Sequence, residues 1–186
     1  YKENEFAVEK VKEKKDEVIL DGVDLDESEE TEMGTHQTNE HHLLLVEDNE
    51  ELLYLMKRIL SRNYHVLIAK NGIEALEIVK ENEIDIVISD VMMPEMDGLE
   101  LCRNLKSDLE TSHISVILLT AKNTVEDRVE CYNAGADGYI AKPFELKILE
   151  ARINNFINHK RSKQEEFRSN ADAQIDALET SVVDKE

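Results

Sequence analysis

The stretch Ile84–Leu101, IDIVISDVMMPEMDGLEL, decides the fold of this chain. It opens on the run Ile84–Ser89, whose β-branched and aliphatic residues are nearly continuous, as expected of a strand covered on both faces. The run ends at the carboxylate of Asp90, and a turn leads to Gly98, after which apolar residues recur at helical spacing. A buried strand followed by a helix is half of a β-α-β unit, so the stretch predicts an α/β protein.

The same alternation continues on both sides of this stretch. Short β-branched and aliphatic runs predict five strands: Leu43–Val46, His65–Ile68, Ile84–Ser89, Ser115–Leu119 and Gly138–Ala141. A helical segment follows each run: one with the apolar face Leu52, Leu53, Met56, Ile59 and Leu60, one beginning at the N-cap Asn71, one after Gly98, one over about Thr124–Ala134, and one carrying Leu146, Leu149, Ile153, Phe156 and Ile157. Strands and helices alternating five times predict a doubly wound (βα)5 sheet of parallel strands joined by right-handed crossovers.

Composition divides the chain into three predicted segments. Residues 1–41 form an acidic linker, expected to be largely disordered, because fourteen acidic residues accompany only five lysines between residues 1 and 40. Residues 42–159 form the folded domain. Residues 160–186 turn polar and are expected to extend the last helix or to connect to another domain.

Charge and cysteine content limit the classes of partner. The formal net charge of −20 argues against binding of nucleic acid or insertion into an anionic membrane by this chain itself. Cys102 and Cys131 lie in apolar helical stretches, which favours buried thiols and a reducing compartment. The sequence shows neither a signal peptide nor an apolar run of membrane-spanning length, which is about 20 residues. We therefore expect a cytoplasmic protein, or the cytoplasmic part of a membrane-anchored one.

Carboxylates stand at the carboxyl ends of two predicted strands. The first strand runs into Glu47 and Asp48, and the third ends at Asp90. If these strands are neighbours, as in the flavodoxin-like order 2-1-3-4-5, the three carboxylates share the crevice where open α/β sheets bind ligands. A hard divalent cation would relieve their repulsion, and Mg²⁺ suits such a site. For Glu47 and Asp48 alone, capping of the following helix is an equally good interpretation.

Two further strand ends carry complementary groups. Thr120 closes the fourth strand and Lys142 follows the fifth. A phosphoryl group on Asp90 needs a metal on one side, a cation on the other and a hydroxyl donor to a third oxygen. The residues at these strand ends are therefore predicted to position a phosphoryl group and to stabilise its charge during transfer.

Four stretches resemble the receiver domains of two-component response regulators: LLLVEDNEE, DIVISDVMMPEMDGLEL, VILLTAK and AGADGYIAKPF. They occur in the order and spacing of that family, over roughly residues 42–159. The resemblance implies that Asp90 accepts the phosphoryl group, that Asp48 ligates Mg²⁺ directly and that Glu47 acts largely through water. It also implies that the backbone carbonyl of Met92 reaches the metal.

The resemblance extends to the residues that would read out phosphorylation. It implies that Lys142 pairs with the phosphate, that Thr120 is the switch hydroxyl and that Tyr139 is the aromatic residue that changes rotamer. An ordinary half-buried tyrosine remains the alternative for Tyr139. The peptide bond before Pro143 is expected to be cis, which proline tolerates at little cost.

The implied function is Mg²⁺-dependent transfer from a phosphohistidine to Asp90, with a histidine kinase or phosphotransfer domain as partner in cis or in trans. The domain is expected to catalyse its own phosphorylation and dephosphorylation while serving mainly as a signalling switch. A histidine kinase within the full-length protein is compatible with this function. The switch would act through the face formed by the fourth helix, fifth strand and fifth helix on an attached output, expected to be transcription. That face is also a candidate homodimer interface through Arg128 and Arg152, although Gly138 replaces an acidic residue frequent in the family.

Three alternatives remain open. The first is a phosphorelay receiver of a hybrid kinase without a DNA-binding output. The second, an aspartate-nucleophile phosphohydrolase, is disfavoured because Met92 stands where such enzymes carry their second, proton-donating carboxylate. The third, a degenerate receiver that is never phosphorylated, conflicts with the complete set of five site residues.

Overall fold

The structure is a computed structural model that describes residues 41–122 and 124–183. The predicted acidic linker over residues 1–41 lies, apart from His41, outside the described residues. The predicted C-terminal segment is described as far as Val183, and it continues the last helix.

The described residues form one parallel sheet. Its strands are β1 (His42–Val46), β2 (His65–Ala69), β3 (Ile86–Asp90), β4 (Ser115–Thr120) and β5 (Gly138–Ala141). They lie in the order β2-β1-β3-β4-β5, so the predicted flavodoxin-like (βα)5 fold is confirmed. The third strand starts at Ile86 rather than at Ile84, because its pairing with β1 begins where Ile86 lies opposite Leu43. Ile84 is nevertheless buried in the core.

Five helices join the strands. They are α1 (Glu50–Leu60), α2 (Gly72–Glu81), α3 (Gly98–Ser107), α4 (Val125–Asn133) and α5 (Leu146–Val183). The first four begin where a side chain accepts hydrogen bonds from the first turn, and these caps are Asn49, Asn71, Asp97 and Thr124. The predicted cap Asn71 is confirmed, and Thr124 forms a full capping box with Asp127.

Helices cover the sheet on both faces. Alternate residues of β1, Leu43 and Leu45, point to a cluster with α1 and α5, while Leu44 and Val46 point to a second cluster with α2, α3 and α4. The predicted apolar face of α1 is wholly buried. Cys102 and Cys131 are buried free thiols in the second cluster, as the sequence predicts.

Strand order places the functional crevice. From β1 the chain crosses to β2 on one side, and it returns to β3 on the other side of β1. The loops after β1 and β3 therefore leave in opposite directions, which opens a crevice beyond their carboxyl ends. Val46 pairs with Ser89, so the residues that follow both strands share this edge.

Candidate functional site

Three carboxylates meet in the crevice. Glu47 and Asp48 follow β1, Asp90 ends β3, and one oxygen from each lies within 4.8 Å of the others. Glu47 and Asp90 are buried, whereas Asp48 is exposed to solvent. The proximity expected from the sequence is therefore present, with one ligand facing the solvent from which an ion would arrive.

Lys142 supplies the positive charge of the site. Its Nζ lies 2.9 Å from Oε2 of Glu47 and 3.3 Å from Oδ2 of Asp90, and its side chain is 1% exposed. The backbone N–H of Lys142 donates to the carbonyl of Thr120 (2.7 Å), which continues the pairing of β5 with β4 beyond Ala141. The ammonium is thus held between two carboxylates by the sheet itself.

The charge balance of the cluster favours a dication. Burial raises the pKa of the Glu47 carboxyl from its ordinary value of 4.5 to about 7; the Lys142 ammonium opposes this rise, and the charge of Asp90 adds to it. When all groups are ionised, three carboxylates and one ammonium leave two excess negative charges. The donor atoms are carboxylate oxygens, the ligands preferred by hard cations such as Mg²⁺. These residues therefore fit a divalent metal.

Backbone contacts fix the position of Asp90. The Ser89 hydroxyl donates to the carbonyl of Asp90 (2.8 Å), and the N–H of Val91 donates to the carbonyl of Leu119 (2.8 Å). The N–H of Gly98 donates to the carbonyl of Val91 (3.0 Å), and a Cβ at Gly98 would overlap the Asp90 carbonyl oxygen. Close approach of the start of α3 to the end of β3 therefore requires a glycine.

Sequence reasoning missed two supporting residues. The sequence indicates only that Ser89 belongs to an apolar strand, yet its side chain is fully buried and its hydroxyl donates to the Asp90 carbonyl. Asn49 caps α1, and its N–H donates to Oε1 of Glu47 (3.2 Å). A polar residue inside an otherwise apolar strand, and an asparagine after an acidic pair, were the available signals.

The two predicted switch residues are engaged elsewhere. The buried Thr120 hydroxyl bonds the backbone N–H and carbonyl of Lys122 at 3.1 and 3.2 Å, forming a tight turn. The half-buried Tyr139 ring lies edge-on to Tyr132, with centroids 5.8 Å apart, and its hydroxyl accepts from Nη1 of Arg128 at 3.4 Å. Their roles as switch residues stay predictions.

Met92 and Pro143 complete the predicted set. The Met92 side chain is 59% exposed, two residues beyond Asp90 at the mouth of the crevice. Its role as a backbone ligand of the metal stays a prediction. The peptide bond between Lys142 and Pro143 is cis, as expected.

The fold and the acidic crevice define an α/β protein with a candidate divalent metal site at the carboxyl edge of its sheet, and comparison with known proteins identifies the family. The response regulator receiver domain family matches residues 43–154. Histidine kinase P4 of Formosa agariphila is 42% identical over 129 residues, which is 69% of this chain and 9% of that protein. Response regulator MprA of Mycobacterium leprae is 44% identical over 112 residues, which is 60% of this chain and 48% of that protein.

Solved structures similar to this chain are also receiver domains or response regulators. The signal receiver domain of a signal transduction histidine kinase from Syntrophus aciditrophicus matches with a TM-score of 0.61 and 36% identity, covering 64% of this chain and 91% of that one. The chemotaxis response regulator CheY4 of Vibrio cholerae matches with a TM-score of 0.59 and 27% identity, covering 62% and 98%.

The chain belongs to the response regulator receiver domain family of two-component systems. Members of this family work with a histidine kinase or a phosphotransfer partner. The chain spans less than half the length of these curated relatives. Within residues 41–122 and 124–183, no helix combines the length and the apolar character needed to cross a membrane.

Proposed function

We propose that the chain receives a phosphoryl group on Asp90 from a phosphohistidine, in a reaction that requires Mg²⁺. The observation that carries the proposal is the buried Lys142 ammonium, 3.3 Å from a carboxylate oxygen of Asp90, beside the acidic cluster. A strand-end carboxylate with a cation on one side and oxygen ligands on the other suits acceptance of phosphorus.

The chemistry requires little of the protein beyond positioning. An oxygen of Asp90 attacks phosphorus, the P–N bond to the donor imidazole breaks, and the imidazole leaves with its electron pair. A general base is unnecessary because a carboxylate is ionised at neutral pH. Glu47, Asp48, Asp90 and the backbone carbonyl of Met92 would hold Mg²⁺, which would neutralise charge on the transferring oxygens. Lys142, whose ammonium already contacts Asp90, balances the remaining charge.

The product is a mixed anhydride of carboxylic and phosphoric acid. Water hydrolyses it, so the same site also terminates the signal. The exposed side chains of Met92 and Lys122 lie two residues beyond Asp90 and Thr120 and are the candidates for setting the lifetime of this anhydride. Lys142 keeps its carboxylate contacts in the unmodified state and pairs with a phosphoryl oxygen once Asp90 is modified.

Phosphorylation would be read out through Thr120 and Tyr139. A phosphoryl group replaces one carboxylate charge by a larger dianion with new acceptor oxygens. The Thr120 hydroxyl then leaves its turn with Lys122 and donates to the phosphoryl group, and the Tyr139 ring moves into the vacated space. The face formed by α4, β5 and α5 changes shape as a result.

The same face is our candidate for homodimer formation. Arg128 lies on α4 and Arg152 on α5, where both side chains could pair with carboxylates of a second copy of the chain. Gly138 supplies no acid, so a salt-bridged dimer would need other carboxylates. Arg128 contacts Tyr139 in the unmodified state, which ties the interface to the switch.

The relatives support a proposal for the setting of the receiver. We place it in a longer cytoplasmic or membrane-anchored protein, phosphorylated by a histidine kinase or phosphotransfer domain, with transcription as the regulated output. The second candidate is a phosphorelay receiver within a hybrid kinase, which the 42% identity to histidine kinase P4 favours. Neither setting involves binding of nucleic acid by the acidic chain described here.

The test is to incubate the chain with Mg²⁺ and a small phosphodonor and to measure its intact mass. We expect one phosphoryl group, labile to base and to hydroxylamine, and none in Asp90→Asn or in the presence of a chelator. Asp97→Asn is the matched control, because asparagine caps the start of α3 as well as aspartate does. Equal modification of Asp90→Asn and the unaltered chain would overturn the assignment.

A further inference from the structure

Helix α5 extends well past the receiver domain. The family match ends at residue 154, whereas the helix runs to Val183. Leu146, Leu149 and Ile153 are buried against the sheet, and Phe156 and Ile157 pack partly against the same cluster. Beyond that point the helix needs polar contacts if its direction is to be held relative to the sheet.

Lys160 makes such a contact. Its Nζ lies 2.6 Å from Oδ1 of Asp85, a residue 75 positions earlier that precedes β3. The Asp85 side chain is 22% exposed and that of Lys160 is 39% exposed. Lys160 lies outside the family match, so this ion pair belongs to the extension rather than to the common fold.

The second oxygen of Asp85 holds the start of the sheet. Oδ2 accepts from the backbone N–H of His42, the first residue of β1, at 3.0 Å, and lies 3.7 Å from Nδ1 of His41. One carboxylate therefore contacts the chain where it enters β1 and where α5 leaves the domain.

Asp85 is itself rigidly placed. Its backbone N–H donates to the carbonyl of His42 (2.9 Å), and its carbonyl accepts from the N–H of Ser115 (3.1 Å), so it is tied to the starts of both β1 and β4. A carboxylate on a fixed backbone loses little freedom when it pairs, and charge-assisted hydrogen bonds are stronger than neutral ones.

We propose that Asp85 is the joint that fixes the exit direction of α5, joining the extension beyond Ile157 to the sheet edge opposite the phosphoacceptor crevice. While the Asp85–Lys160 ion pair is formed, α5 keeps a fixed direction relative to the sheet. When this ion pair is broken, the helix bends or frays after Ile157. The joint uses no residue of the acidic crevice, so it does not depend on the proposed phosphorylation.

Hydrogen exchange of the full chain, read by mass spectrometry, tests the joint. In Lys160→Met, which retains the contact of Asp85 with His42, we expect backbone amides over residues 157–163 to exchange roughly tenfold faster. Asp85→Asn should give at least the same increase. The control is Arg161→Met, which removes a highly exposed pair with Glu165 on the same turn and should change the rate less than twofold.

A double variant separates the joint from general loosening. Because Lys160 acts through Asp85, exchange over residues 157–163 in Asp85→Asn/Lys160→Met should match that in Asp85→Asn alone. Unchanged exchange in Lys160→Met, an equal effect of Arg161→Met, or multiplicative effects in the double variant would each overturn the proposal.

Discussion

At the scale of single residues, the site depends on one ammonium buried among carboxylates. Lys142 is 1% exposed and contacts both Glu47 and Asp90. Desolvating such charges is costly, and removing one partner leaves the others uncompensated. The rise in the pKa of Glu47 to about 7 reflects this cost, which the single lysine only partly offsets. The excess negative charge of the cluster favours binding of an added cation. This is expected of a metal site rather than of a purely structural ion pair.

Gly98 provides a residue-scale prediction. In Gly98→Ala the new methyl would overlap the Asp90 carbonyl, so β3 and α3 must separate. We expect a loss of about 2 kcal/mol in the free energy of unfolding, measured with urea, and slower phosphorylation because the Asp90 backbone shifts.

Gly138→Ala is the matched control for that variant. Its methyl would lie 3.5 Å from the Phe156 ring, an ordinary contact, so the change should stay within about 1 kcal/mol. Equal destabilisation by the two alanines would show that close packing at Asp90 is not the cause.

At the scale of elements, Asp85 joins the amino ends of the strands to α5, as Lys142 joins residues at their carboxyl ends. Burial alone would raise the pKa of Asp85, but the hydrogen bonds from Lys160 and from the His42 backbone outweigh it and lower the pKa below its ordinary 3.8. The ionised form therefore stabilises the junction of β1, β3 and α5. Each end of the sheet thus has one charged side chain shared between elements, a carboxylate (Asp85) at the amino end and an ammonium (Lys142) at the carboxyl end.

The lowered pKa of Asp85 sets the pH range in which it matters. A depressed carboxyl pKa contributes stability that is complete above pH 3.8 and lost as pH falls through the lower, folded-state pKa. We expect Asp85→Asn to lower the free energy of unfolding by about 1.5 kcal/mol at pH 7. The difference from the unaltered chain should shrink only below about pH 4.

Urea unfolding at pH 7, 5 and 3 checks this expectation. Lys160→Met should weaken the pH dependence in the same range, since the ammonium is a main cause of the shift. A difference between Asp85→Asn and the unaltered chain that is as large at pH 3 as at pH 7 would contradict the linkage.

At the scale of the whole molecule, two layers of helices and one switch in strand order build the crevice. Its carboxylates come from two strands, its lysine from a third and its hydroxyl from a fourth. The site exists only when the sheet is assembled, so a cation that binds there binds the folded state and not the unfolded chain. Metal binding is therefore linked to global stability.

Addition of Mg²⁺ should raise the unfolding temperature. At a concentration 100-fold above Kd the gain is about 2.7 kcal/mol, which corresponds to roughly 5–10 °C for a chain of this size. Asp48→Asn should lose most of this increase in a thermal scan followed by circular dichroism. A chelator should reverse the increase in the unaltered chain.

The control for the metal experiment is Glu81→Gln, an exposed carboxylate at the end of α2. It should retain the full Mg²⁺ effect. Comparable shifts in Asp48→Asn and the unaltered chain would place the ion somewhere other than the acidic crevice.

The order of elements, and the edge of the sheet at which the site lies, can be predicted from the amino-acid sequence. Apolar runs that end in Asp90, Thr120 and the acidic pair could be read directly, because strand burial and helix capping are local patterns with clear periodicity. Parallel topology then places all carboxyl strand ends on one side. The cap Asn71 also follows from local hydrogen-bonding preference.

Which side chains come into contact is seen only in the folded chain. The Glu47–Lys142 pair joins residues 95 positions apart, and the Asp85–Lys160 pair joins residues 75 apart. Neither leaves a periodic signal, because contacts between distant elements depend on strand order, helix length and side-chain direction together. The same reason explains why the supporting role of Ser89 in β3 has no periodic sequence signature. Its hydroxyl donates to the Asp90 carbonyl next to the start of α3, a contact that only the packed structure creates.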